Sequence, residues 1–304
     1  MIRRILQPTL NGGRLVGTGH LPEPGEVAGA SDRLAVVLVN FAQASRAGVG
    51  DLSVWIGDQL AAHGYPVFRF DLPGLGDSLG PAPEPGQPLW CHIREGKHAE
   101  TTTALLDHLR AEFPVERFVV GGLCAGAVTA LYAAARRSEV AGVILLEPVF
   151  HLCDVRFGSG PSHRPPPPPD RAARRWLQSV KRRLRKRLAG TPVERRVRIL
   201  YASFKRLADR ARGRRCPPDA IRELLATWQA LVRQRLKILI INSGTDGREM
   251  YNRYYLGGRF ARQATWRVVR ESNHMLAAHG GKEAVSHLIR EWLDQTVAHD
   301  ADTT

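Results

Sequence analysis

Gly122-Leu123-Cys124-Ala125-Gly126 is the stretch on which the reading of this chain turns. It stands between an apolar run, Arg117 to Gly121, and a helix-like stretch, Val128 to Arg136, which predicts strand, tight turn and helix with a thiol at the apex. A turn that sharp brings together the backbones two residues before and two after the apex, and it forces the apical residue into strained φ/ψ. Both flanks must therefore be small, and both are Gly. The pattern is G-x-S-x-G with Cys in place of Ser. A thiol ionises more easily and is the stronger nucleophile, so the exchange keeps a nucleophile's role and changes which leaving groups it handles best. A buried, inert Cys at a glycine-rich turn is the bland alternative. The rest of the chain weighs between the two.

Elsewhere in the chain, near-continuous apolar runs recur at 34–40 (LAVVLVN), 65–71 (YPVFRFD), 118–121, 142–147 (GVILLE), 237–242 (KILIIN) and 265–270. Such runs suit strands covered on both faces. Helical spacing occupies 52–63, 100–112, 128–137 and 282–293. Asn11-Gly12-Gly13 reads as a hairpin turn between two short apolar segments. An antiparallel start followed by strand–helix alternation predicts an α/β fold, a mostly parallel sheet with helices on both faces. With 304 residues, 43% of them apolar, the chain can bury a sizeable core. The N-terminal MIRRILQPTLNGGRLVG has no apolar stretch of useful length before a small-residue cleavage pattern, and no run approaches the ~18 apolar residues of a membrane span. A cytoplasmic protein is expected. Cys91, Cys124, Cys153 and Cys216 lie far apart without a C-x-x-C pair, which argues against a zinc site and a disulfide framework. The thiols should stay reduced, and no metal or cofactor is implied.

Asp71-Leu72-Pro73-Gly74-Leu75-Gly76-Asp77-Ser78 is similar to the D-x-x-G-x-G-x-S stretch of the α/β-hydrolase superfamily, and the chain resembles that superfamily from first hairpin to last helix. More narrowly, Asn40-Phe41-Ala42, FRFDLPGLGDS at 68–78, GGLCAGA at 121–127 and a Trp- and Arg-rich cap resemble bacterial hydrolases found with exopolysaccharide and exosortase systems, which also carry Cys in the elbow. The resemblance implies an α/β-hydrolase fold with an inserted helical lid, and functional groups in the chain order nucleophile, acid, histidine. Cys124 is then the nucleophile. His274, in Glu271-Ser272-Asn273-His274-Met275-Leu276, is the one of 11 histidines placed directly between the last strand and the final helix, and it would take the thiol proton and return it to a leaving group. Asp246, after the strand that follows the lid, is favoured as the acid that fixes the imidazole. Glu147, at the end of the preceding strand, is the alternative acid. The oxyanion hole would use the backbone N–H of Ala125 and one from the loop after Asn40, Ala42 or Phe41. This chain departs from the frequent His-Gly pair in that loop, and it has Asn273 where many relatives carry Asp.

The formal charge of +15 is concentrated in one segment. Residues 151–236 hold 23 Lys+Arg against 6 Asp+Glu, whereas the remainder holds 21 against 23. This divides the chain into a core at 1–150, a basic helical lid at 151–236 and a second core part at 237–304. The lid opens on the run Pro165 to Pro169, an extended polyproline-like chain. Trp176, Leu177, Val180, Leu184 and Leu188 follow at helical spacing among Arg182, Arg183, Arg185, Lys186 and Arg187, a basic amphipathic helix. A second helix is expected at 219–232, with Asp219 as N-cap. Clustered cations draw anionic ligands: an acidic acyl-carrier protein, coenzyme A, an anionic glycan or an acidic membrane surface. No DNA- or RNA-reading motif is present. Sulfur at the elbow favours cleavage or transfer of an acyl group from a thioester or ester over amide hydrolysis. The competing reading is a non-catalytic module on a hydrolase fold that binds an anionic partner or membrane through its lid.

Overall fold

Valine, leucine and isoleucine fill the middle of the sheet because its strands are covered on both sides. The structure, a computed structural model, describes residues 1–10, 12–23, 33–151, 220–244, 248–257, 261–277 and 280–297, with 193, 196 and 200 singly between. In chain order its elements are β1 Ile2–Leu6, β2 Thr9–Leu10, β3 Gly13–Arg14, β4 Gly17–Leu21, β5 Leu34–Val39, α1 Leu52–Ala61, β6 Val67–Phe70, α2 Gln87–Arg94, α3 His98–Glu112, β7 Arg117–Leu123, α4 Ala125–Ala134, β8 Val140–Leu146, α5 Arg222–Arg233, β9 Lys237–Ser243, α6 Arg248–Leu256, β10 Thr265–Val269 and α7 Gly281–Trp292. Eight strands form one sheet in the order β1-β4-β6-β5-β7-β8-β9-β10, and β2 pairs with β3 in a separate hairpin. From β6 to β10 all neighbours are parallel, while β4 runs antiparallel to both β1 and β6.

Alternation along the strands splits the core in two. Ala35, Val37, Phe118 and Val120 face a cluster built with α3, α4 and α5, whereas Leu34, Val36, Leu38 and Val119 face one built with α1 and α7. The period-2 geometry of a strand sends neighbouring side chains to opposite helical layers. α5 falls inside the basic segment 151–236, yet Leu224, Trp228 and Leu231 are buried in the first cluster, with Trp228 edge-on to Phe150 at 5.9 Å. The described end of that segment is thus part of the core. Trp176, Arg182, Arg183, Arg185, Lys186 and Arg187 lie outside the described residues, as does Asp219.

Two helices begin earlier than their apolar spacing predicts. α4 starts at Ala125, directly after the apex, because Ala125-Gly126-Ala127 are small residues that pack against the sheet and leave no periodic signal. α3 likewise starts at His98. α2 and α6 carry no sequence expectation; α2 is eight residues long, with a proline in its first turn. Among the described residues no helix is long and apolar enough to cross a membrane.

Candidate active site

The strand register brings the functional residues to one edge. Val39 pairs with Gly122, Leu123 with Leu146, and Leu146 with Ile241, so Asn40, Cys124 and Glu147 all lie just past the carboxyl ends of adjacent parallel strands. That edge is where open α/β sheets bind ligands. Cys124 is the N-cap of α4, with φ 51° and ψ −101°, a conformation that L-residues rarely hold. The flanking glycines explain how it is held. A Cβ on Gly126 would stand 2.7 Å from the Val39 carbonyl oxygen and 2.8 Å from that of Asn40, and one on Gly122 would stand 2.9 Å from Gly126 itself. The thiol is half-buried, and Cys124, Phe41 and Met275 each pack against the core cluster on the α1 and α7 side of the sheet.

Glu147 follows β8 with φ 49°, a second positive φ at the same edge. Its carboxylate is fully buried. One oxygen, Oε1, accepts the backbone N–H of Ser243. The other, Oε2, lies 3.2 Å from His274 Nδ1 and 3.3 Å from Arg248 Nε. A buried carboxylate needs such donors, since leaving it unmatched costs several kcal/mol. With Nδ1 turned to the carboxylate, the imidazole carries its proton there and leaves Nε2 as its basic nitrogen. The ring is 18% exposed and meets Phe41 edge-on at 6.2 Å. Asn273 shapes the approach: its Oδ1 accepts the Met275 N–H at 3.0 Å and its carbonyl accepts the Leu276 N–H at 3.0 Å. Asn273 therefore closes the turn on which His274 sits, with an acceptor that Asp would equally provide.

The loop after β5 is fixed from behind. Asn40 is buried, donates to the Ala44 carbonyl at 2.8 Å and to Asp71 Oδ1 at 3.0 Å, and accepts the Leu72 N–H at 2.8 Å. Asp71, buried at the head of the D-x-x-G-x-G-x-S stretch, also takes Arg46 Nη1 at 2.6 Å and the Asp77 N–H at 3.1 Å. A Cβ on Gly76 would fall 2.4 Å from that carboxylate, and Ser78 ties the loop to Val16 through a 2.8 Å bond. The motif is thus a clamp that joins the loops after β5 and β6. Ala42, within the first loop, holds φ 43°. At the elbow, Val128 N–H already bonds the Cys124 carbonyl, so the donors of the first helical turn, Ala125 N–H among them, have no partner in the helix ladder.

Of the residues expected from sequence, Glu147 and Phe41 each meet His274, and Cys124, Ala125 and Ala42 follow strand ends at the same edge of the sheet. Asp246 lies outside the described residues, and the carboxylate found against His274 is that of Glu147. Arg248 and the Ser243 N–H had no sequence signal, because both are defined only by reach across the sheet edge. Among the described residues no three His, Cys, Asp or Glu side chains are grouped to hold a metal ion.

A family model described as alpha/beta hydrolase fold matches residues 46–214, and the chain belongs to that family. It is an enzyme of the α/β-hydrolase type. Solved structures share the fold at low identity. An esterase from Pyrococcus furiosus is 16% identical with TM-score 0.57, covering 97% of this chain and 92% of its own. A proline iminopeptidase-related protein from Thermus thermophilus is 21% identical with TM-score 0.54, covering 98% and 99%. A lidless serine hydrolase from Xanthomonas campestris is 16% identical with TM-score 0.53, covering 97% and 96%. No curated protein sequence matches the chain.

Proposed function

We propose that this enzyme cleaves or transfers the acyl group of an ester or thioester through a covalent acyl-cysteine, with Cys124 as nucleophile, His274 as base and Glu147 as the acid that orients it. The contact between Glu147 and His274, one strand over from the elbow thiol, carries the reading. His274 Nε2 takes the thiol proton as Sγ attacks the acyl carbon. The carbonyl oxygen becomes an oxyanion, which Ala125 N–H and a donor from Phe41 or Ala42 would stabilise. Collapse breaks the bond to the leaving oxygen or sulfur, which takes the proton from the imidazolium. Water or another nucleophile then gives its proton to His274, attacks the thioester and releases Cys124.

An elbow thiolate suits thioester donors, because sulfur replaces sulfur with little loss of leaving-group balance. The cations of 151–236 favour a donor carried on an anionic handle, such as coenzyme A phosphates or an acidic carrier protein. Kinship with the exopolysaccharide-associated hydrolases, a cytoplasmic location and Asp246 as an alternative acid remain parts of this proposal. Intact-mass spectrometry after incubation with a panel of acyl thioesters and esters tests it. The expected result is an acyl adduct on the wild type that Cys124→Ala lacks. A wild type that turns over none of the panel, takes no adduct and leaves Cys124 unlabelled by iodoacetamide would refute the assignment.

A further inference from the structure

Behind the site, a chain of buried polar groups runs from the surface to the loop after β5. Arg69, on β6, is nearly inaccessible, and so is His20 on β4. Arg69 Nε donates to His20 Nε2 at 2.7 Å, while Arg69 Nη1 donates to the Arg46 carbonyl at 2.7 Å. His20 Nδ1 lies 2.8 Å from Asp58 Oδ1 on α1, and the partly exposed Asp58 also accepts Arg3 Nε of β1 at 3.0 Å. The site was built tightly, for a Cβ on Gly57 would stand 2.9 Å from the His20 ring. Arg46 lies within the loop that begins at Asn40; its side chain reaches Asp71 at 2.6 Å, Asp77 at 2.7 Å and the Thr18 hydroxyl at 3.3 Å.

A guanidinium has donors only, so His20 Nε2 must present a lone pair and the ring proton must sit on Nδ1, given to Asp58. We propose that His20 and Arg69 are positioning residues for the loop 40–46, and that protonation of His20 releases it. A proton on Nε2 removes the acceptor and sets an imidazolium against a guanidinium. Arg69 then loses the partner that aims its other arm at the Arg46 carbonyl. The charged groups acting on the ring are Arg69 from β6, Asp58 from α1 and Arg3 from β1; Arg46 of the loop and Asp71 act on Arg69 behind it, and Asp77 pairs with Arg46. Burial first, and Arg69 next, push the His20 pKa down to about 4 from its ordinary 6.5, against the pull of Asp58. A folded value below the ordinary one means that the neutral ring's contribution is complete above 6.5 and is lost as pH falls towards 4.

The inference rests on the proposed acyl chemistry only for its effect on turnover, through the oxyanion donors that the loop carries. Hydrogen–deuterium exchange reads it without turnover. Protection of residues 41–46, corrected for the intrinsic exchange rate, should fall about tenfold in the wild type between about pH 7 and pH 4.5. In His20→Gln, whose amide accepts from Arg69 and donates to Asp58 without titrating, protection should stay level. Protection that is level in the wild type, or that falls equally in both, overturns the proposal. A second measurement needs no variant: imidazole nitrogen NMR at neutral pH should find His20 protonated on Nδ1, and the opposite tautomer would also overturn it. Loop release with no acyl adduct would condemn the chemistry and keep the network; an adduct with no loop release would do the reverse.

Discussion

A carboxylate without solvent must be matched by donors, and Glu147 has three: the Ser243 amide, His274 and Arg248. Oε2 serves both the imidazole and the guanidinium, while Oε1 takes the Ser243 amide, so the carboxylate is held from three sides. Glu147→Gln keeps the shape and removes the charge that stabilises imidazolium. Its kcat should fall by about 10²- to 10⁴-fold, the range seen when a triad acid loses its charge. Asp246→Asn should stay within about threefold of wild type. Steady-state kinetics on both variants checks the assignment, and the reverse ranking would move the acid to Asp246. Sequence position offered both residues, since each follows a strand on the right side of the nucleophile. Only the reach of one side chain to Nδ1 separates them, and that reach depends on a positive φ at Glu147 that no local residue pattern announces.

At the scale of the element, the elbow is a contact between backbones. Gly126 faces the Val39 and Asn40 carbonyls at distances no Cβ tolerates, and neither carbonyl is a flexible chain end that could move aside. Gly126→Ala should cost about 1–3 kcal/mol, as overpacking does, and it should slow alkylation of Cys124 by displacing the apex. Urea unfolding and iodoacetamide kinetics measure the two effects. A stability change below about 0.5 kcal/mol would mean that the turn is looser than described. The elbow was legible because its glycines are required by its geometry, and apolar runs announced β5 to β10 for the same local reason. α2 and α6 were not legible. Their burial is set by elements remote in sequence, and short polar helices give little periodicity.

Across the whole molecule, charge and packing divide the chain at different places. Counting Lys and Arg puts the basic segment at 151–236, but the buried face of α5 belongs to the layer that covers the sheet. Trp228→Ala should therefore destabilise the entire fold, by about 3–5 kcal/mol for loss of a fully buried Trp. The shift in the urea midpoint should be the same by near-UV circular dichroism and by Cys124 reactivity. If Cys124 reactivity and the main transition were untouched, α5 would be an appendage rather than core. An amphipathic helix looks alike whether its apolar stripe meets a lid or a sheet, so composition alone could not place it.

Adjacent residues were enough to fix the class of fold, the sharp strand-to-helix turn at Cys124 and the place of His274 after the last strand, because apolar runs, a glycine-flanked turn and chain order are local properties. Packing of distant segments was needed to settle which carboxylate meets His274, that Asp71 clamps two loops together, and that His20 and Arg69 stand behind the loop after β5. Those pairings join residues between 23 and 127 positions apart, and hydrogen bonds of that span exist only once the sheet has brought its strands and their loops side by side.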